Sequence, residues 1–107
     1  MTFYIKQNDT SPALLATLQD ADGIAVDITG AAIRFHMRQI GSAAVEVDAA
    51  AVIVTPLQGT VRYDWLAADT AEIGSYQAEF EVTYADASIE TFPNDGYIRV
   101  KIIDDVA

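Results

Sequence analysis

Three stretches of the chain alternate between apolar and polar residues, and a β-strand is the regular element that turns successive side chains to opposite faces. Between Ala31 and Gln39, Ile33, Phe35 and Met37 share one side, and Arg34, His36 and Arg38 share the other. From Gly74 to Tyr84, Tyr76, Ala78, Phe80, Val82 and Tyr84 oppose Gln77, Glu79, Glu81 and Thr83. From Tyr97 to Ile103, Ile98, Val100 and Ile102 oppose Tyr97, Arg99, Lys101 and Ile103. Wound into helices of 3.6 residues per turn, the same charges would scatter round the circumference, so the pattern predicts half-buried strands.

Weaker strands are expected at residues 2–7, 13–19, 24–26, 45–47, 51–55, 60–65 and 88–92. Turn chemistry separates them at Asp22-Gly23, Gly41-Ser42, Pro56-Leu57-Gln58-Gly59, Asp86-Ala87 and Pro93-Asn94-Asp95-Gly96. The one helical candidate is short, residues 66–71. Many short strands with a turn every ~8–12 residues predict a sandwich or barrel. The length of 107 residues fits one domain, 1–107, with a single modest core. The apolar fraction is 51% but rich in alanine, so the core is expected to be thin. Phe35, Trp65, Tyr76, Phe80 and the Val, Ile and Leu positions would build it.

Gly74-Ser75-Tyr76 opens the strongest alternating strand. A Gly-x-Tyr there resembles the corner of immunoglobulin-like sandwiches, where the tyrosine hydroxyl ties the strand start to the preceding loop. Ala78 then stands where antibody domains carry their second cysteine. The expected fold class is all-β: an immunoglobulin-like antiparallel β-sandwich of about seven to nine strands.

Composition narrows the function. Six basic against sixteen acidic residues give a net charge of −10. Nucleic-acid affinity comes largely from Lys and Arg neutralising phosphates, so no nucleic-acid partner is expected. An anionic membrane surface is disfavoured for the same reason, and no apolar run approaches the ~18 residues of a spanning helix. There are no cysteines, which removes disulfides, thiolate metal sites and a cysteine nucleophile. No secretory signal is visible at Met1–Asn8, and folding in a reducing cytoplasm is expected.

His36 is the only histidine, and none of Ser11, Ser42, Ser75 and Ser88 sits in a nucleophile-elbow pattern. Two arginines share its face and would disfavour its charged form. Catalysis is therefore not expected. Asp20-Ala21-Asp22-Gly23 lacks the further ligands of a calcium loop and reads as a hairpin turn, so neither metal nor cofactor is expected. A carbohydrate-binding module is the rival to a purely structural role, with Tyr4, Phe92 and Tyr97 as candidate exposed aromatics.

The order of several pieces carries a resemblance: Ile5-Lys6-Gln7-Asn8-Asp9-Thr10-Ser11-Pro12, then Leu18 through Ala31 with Asp20-Ala21-Asp22-Gly23 inside it, then Gly59-Thr60-Val61-Arg62-Tyr63-Asp64-Trp65. Gly74-Ser75-Tyr76-Gln77-Ala78-Glu79-Phe80 and Glu90-Thr91-Phe92-Pro93 follow. Together they resemble the N-terminal domain of the phage baseplate upper protein family, over nearly the whole chain. The resemblance implies an immunoglobulin-like building block of a tailed-bacteriophage virion, assembled in the bacterial host cytoplasm. Its partners would be other virion proteins, with a homo-oligomer in the particle as one arrangement. In the family this domain anchors a longer protein to the baseplate. Here the chain departs from that pattern by stopping at Ala107, and the alternative expectation is a block standing alone on the tail, at a head-tail joint or on the capsid shell as a decoration. The family brings no catalytic residues.

Two placements follow. Residues 2–12 are expected to form an edge or an exchanging arm, because Asn8 to Pro12 break the first strand and proline cannot donate to a ladder. In an immunoglobulin-like sandwich, Gly74–Tyr84 would lie between Ala31–Gln39 and Tyr97–Ile103. Glu79 and Glu81 would then sit between Arg34, His36 and Arg38 on one side and Arg99 and Lys101 on the other. With most basic residues used there, the remaining surface, including the opposite sheet, is expected to be strongly acidic, and a partner that meets that sheet or the loops to be basic or to tolerate acid.

Overall fold

The stretch with the longest alternation becomes the centre of the larger of two sheets. The computed structural model describes residues 2–106, and the strands among them are β1 (Thr2–Lys6), β2 (Leu14–Thr17), β3 (Ala32–Gln39), β4 (Val45–Ala50), β5 (Val52–Thr55), β6 (Thr60–Tyr63), β7 (Gly74–Thr83), β8 (Ile89–Phe92) and β9 (Ile98–Ile103). The larger sheet runs β1-β9-β7-β3-β4, and β8 pairs the part of β7 that β9 does not reach. The smaller sheet runs β2-β6-β5. The single residue Ala51 carries the chain from one sheet to the other. This is an immunoglobulin-like β-sandwich, with β7 between β3 and β9 as expected of that fold.

Burial follows the alternation. Ile33, Phe35 and Met37 of β3, Tyr76, Ala78, Phe80 and Val82 of β7, and Val100 and Ile102 of β9 all face the core. Phe35 is its hub. Its ring stacks on Tyr63 at 4.3 Å between centroids, meets Phe80 at 5.2 Å and takes Trp65 edge-on at 5.6 Å. Such offset and edge-to-face pairs add about 0.5–1.5 kcal/mol each beyond area burial. The Tyr76 hydroxyl donates to the Glu72 carbonyl at 2.7 Å, which pins the turn before β7 to the strand, as the Gly-x-Tyr motif suggests.

The structure corrects several expectations. Residues 24–26 form no strand. One isolated bridge joins Gln19 to Ala25, and the Asp20 carboxylate accepts the N–H groups of Asp22 and Ile24 to hold a tight turn with Gly23 at φ +78°. The helical candidate is a 3-10 turn, Ala67–Thr70. The Asp69 carboxylate takes the Leu66 N–H at 2.9 Å and the Tyr63 hydroxyl at 2.6 Å, and these bonds fix a single tight turn. β1 pairs β9 in parallel, whereas the other named pairings are antiparallel. Phe92 is 2% exposed and packs in the core, so it is not a surface aromatic.

The smaller sheet is not acidic. Its outward residues include Leu15, Val52 and Val54, all exposed, and Arg62, which is paired to Asp64. Five of the sixteen acidic residues lie on strands, all in the larger sheet, and the rest lie in the connections or, for Asp104 and Asp105, after β9. Turn chemistry explains the shift. Asp20, Asp27 and Asp86 each accept the N–H two residues on, a local bond that selects Asp for turns regardless of which sheet is nearby.

Candidate functional site

The outward face of the larger sheet carries the chain's densest array of charge and polar contacts. The antiparallel register sets Arg34 opposite Glu81, His36 opposite Glu79 and Arg38 opposite Gln77. On the other side of β3, His36 stands opposite Asp48 and Arg34 opposite Ala50. Cross-strand neighbours on one face lie about 5 Å apart, so this register makes contacts between their side chains.

The contacts that form are not all those the sequence suggests. Arg34 turns to Asp48 at 2.8 Å instead of Glu81, and its guanidinium also donates to the Asp48 carbonyl. The guanidinium's hydrogen bonds to the Asp48 carboxylate itself hold that carboxyl below the usual carboxylate range. Arg38 donates to Gln77 at 3.3 Å. His36 has Nε2 3.2 Å from Asp48 and Nδ1 3.5 Å from Glu79. Its immediate partners are therefore carboxylates, not the two arginines of its own strand. A hydrolytic triad needs a hydroxyl on one imidazole nitrogen, and here both nitrogens face carboxylates.

Arg99 and Lys101 sit apart from this array. β9 pairs β7 only along Gly74–Ala78, which sets Arg99 opposite Gln77 and Lys101 opposite Ser75. Glu79 and Glu81 lie beyond the end of that pairing, so they are flanked by basic residues on the β3 side alone. Asp48 is the member that sequence reasoning missed. Its strand was expected to end at Val47, because Ala49 and Ala50 dilute the alternation; in the structure β4 continues through Ala50.

Tyr97, 47% exposed, and Val45, 61% exposed, border a groove of about 320 Å³ whose floor holds His36, Arg38, Gln77 and Glu79. Tyr4, 60% exposed, lies on the same sheet but on its edge strand, opposite Lys101. Among the described residues, no three of His, Cys, Asp and Glu come close enough to share a metal ion, and no helix is long and apolar enough to cross a membrane.

The fold is similar to that of CopC from Methylosinus trichosporium OB3b, with a TM-score of 0.51 and 15% identity over 99% of this chain and 87% of that one. At that identity the likeness bears on the fold alone. No curated protein matches the chain. The model of the BppU N-terminal domain matches residues 2–93. Matched from its first strand to the turn after its eighth, the chain belongs to the BppU N-terminal domain family, the N-terminal domain of phage baseplate upper proteins.

Proposed function

We propose that this domain is a non-enzymatic building block of a tailed-phage virion that works through protein–protein contacts. The family match over residues 2–93 carries the reading. The surface agrees with it: the only imidazole is held between two carboxylates, and the sandwich leaves sheet edges and an apolar sheet face open to partners. A net charge of −10 opposes nucleic-acid contact, so the partners are other virion proteins, and a ring of copies in the particle is compatible with it. The block sits at the baseplate, along the tail, at a head-tail joint or on the capsid surface, and assembles in the host cytoplasm.

A second reading, a carbohydrate- or cell-surface-binding module, draws on the groove beside Tyr97, where a half-exposed ring faces hydrogen-bonding side chains. Quantitative mass spectrometry of purified particles separates the two. The structural reading expects this chain at a fixed number of copies per particle. Absence from particles, together with retention on a polysaccharide column that Tyr97→Ala abolishes, favours the second reading instead.

A further inference from the structure

We infer that the free edge of β1 and the groove between β1 and β2 receive an extended segment of a different virion protein as an added strand, its inward side chains apolar. The inference rests on the structural reading above and names the surface that carries it.

β1 is the last strand in the path of the larger sheet, so one side of its backbone is unpaired among the described residues. Backbone direction alternates along a strand. The Gln7 N–H donates to the Ile103 carbonyl at 2.8 Å, which turns the backbone groups of Phe3 and Ile5 toward β9 as well. The N–H and C=O of Tyr4 then point to the open side. Proteins usually blunt such edges with charges, prolines or bulges. The opposite edge, β4, does so: it carries exposed Glu46 and Asp48, and its pairing with β3 breaks register at Met37/Arg38. β1 has no proline and a single charge, Lys6, at its far end, where the ammonium donates to the Asp104 carbonyl at 3.1 Å.

Beside this edge, a groove of about 340 Å³ separates the two sheets. Residues 2–4 and 12–15 line it, none of them charged in a chain that is 21% charged. Tyr4 and Leu15, 60% and 55% exposed, flank it. An added strand would satisfy the Tyr4 backbone by hydrogen bonds and set alternate apolar side chains in the groove, the usual division of labour in strand addition. A second copy is a poor occupant, because each copy brings a net charge of −10. A different protein need not carry that charge, and the cations at this edge, Lys6 on β1 and Arg99 and Lys101 on β9, suit a strand whose side chains are apolar rather than basic.

The test places a photo-cross-linking amino acid at position 4 or 15 in the phage-producing strain, with particles purified before irradiation. Both positions are expected to cross-link to one segment of one other virion protein, with alternating apolar residues. In parallel, Tyr4→Pro removes the outward N–H together with the ring and should lower incorporation into particles at least tenfold, while Tyr4→Ala, which loses the ring but keeps the N–H, incorporates clearly better than Tyr4→Pro. Cross-links to a second copy, or none in particles that contain the chain, overturn the inference, as does normal incorporation of Tyr4→Pro. Should Tyr4→Pro fail to fold, the cross-links alone decide. Absence of the wild-type chain from particles overturns the structural reading itself.

Discussion

Tyr76→Phe removes one hydroxyl and leaves the ring in place, so it isolates the bond that closes the corner before β7. Tyr76 is 1% exposed, and its hydroxyl donates to the Glu72 carbonyl at 2.7 Å. A neutral hydrogen bond of this kind contributes about 0.5–1.5 kcal/mol net. The freed carbonyl belongs to an exposed residue and can be rehydrated, which keeps the loss in that range and below the larger penalty of a sealed, unpaired acceptor. The expected destabilisation is about 1 kcal/mol, against a total stability of about 5–15 kcal/mol for a domain of this kind. With a urea slope of about 1–3 kcal/mol per molar, the midpoint falls by roughly 0.3–1 M at unchanged slope, and Tm falls by about 4 °C. Tyr4→Phe, on an exposed ring, serves as the comparison and should stay within about 0.5 kcal/mol of the wild type. A Tyr76→Phe midpoint indistinguishable from that of Tyr4→Phe would refute the corner as a stabilising tie.

Phe35→Ala empties the hub of the aromatic cluster and should cost about 3–5 kcal/mol, read by circular dichroism as a fall in urea midpoint several times that of Tyr76→Phe. Gly59→Ala should cost more than about 3 kcal/mol, because φ is +66° and a Cβ would lie 2.6 Å from the Val26 carbonyl and 2.8 Å from that of Leu18. Gly23→Ala, at positive φ but in open space, should cost only about 1 kcal/mol, so equal losses in the two alanine variants would contradict the steric argument. Burial, and then the bond to Glu90, push the Tyr84 phenol up to about 12 in the folded state. Its unfolded value is about 10, so its contribution to stability is complete below pH 10 and is lost as pH rises from 10 to 12. Urea midpoints at pH 9, 10 and 11 should therefore fall less steeply in Tyr84→Phe than in the wild type.

The parts of the fold that the sequence made legible are those where one face is buried and large residues mark it. In β3, β7 and β9 the alternation of Phe35, Phe80 and Val100 with polar and charged neighbours fixes the buried face, and the strand order followed from the immunoglobulin-like fold class. Where alanine fills the pattern, as at Ala49 and Ala50, no contrast marks the period and the end of β4 was placed too early. The position of residues 24–26 depended on bonds to Leu18 and Asp20 that no local periodicity encodes. The charged face was legible by strand and orientation but not by partner. Period two tells which way Arg34 points; that it reaches Asp48 instead of Glu81 depends on a β4 register that only the folded chain sets. The acidity expected of the second sheet failed because net charge says how many carboxylates there are, not that turns take most of them. The open edge at β1 was readable from Pro12 and the residues before it, whereas the uncharged groove beside it arises only when β2 packs alongside.

Electron cryomicroscopy of the purified particle, with this chain located in the density, tests the central claim most directly. The account predicts a nine-stranded sandwich of this shape seated among other virion proteins at a symmetric set of positions, with the β1 edge covered. Particles whose density is fully explained by other chains, while this protein remains free in the lysate, would contradict it.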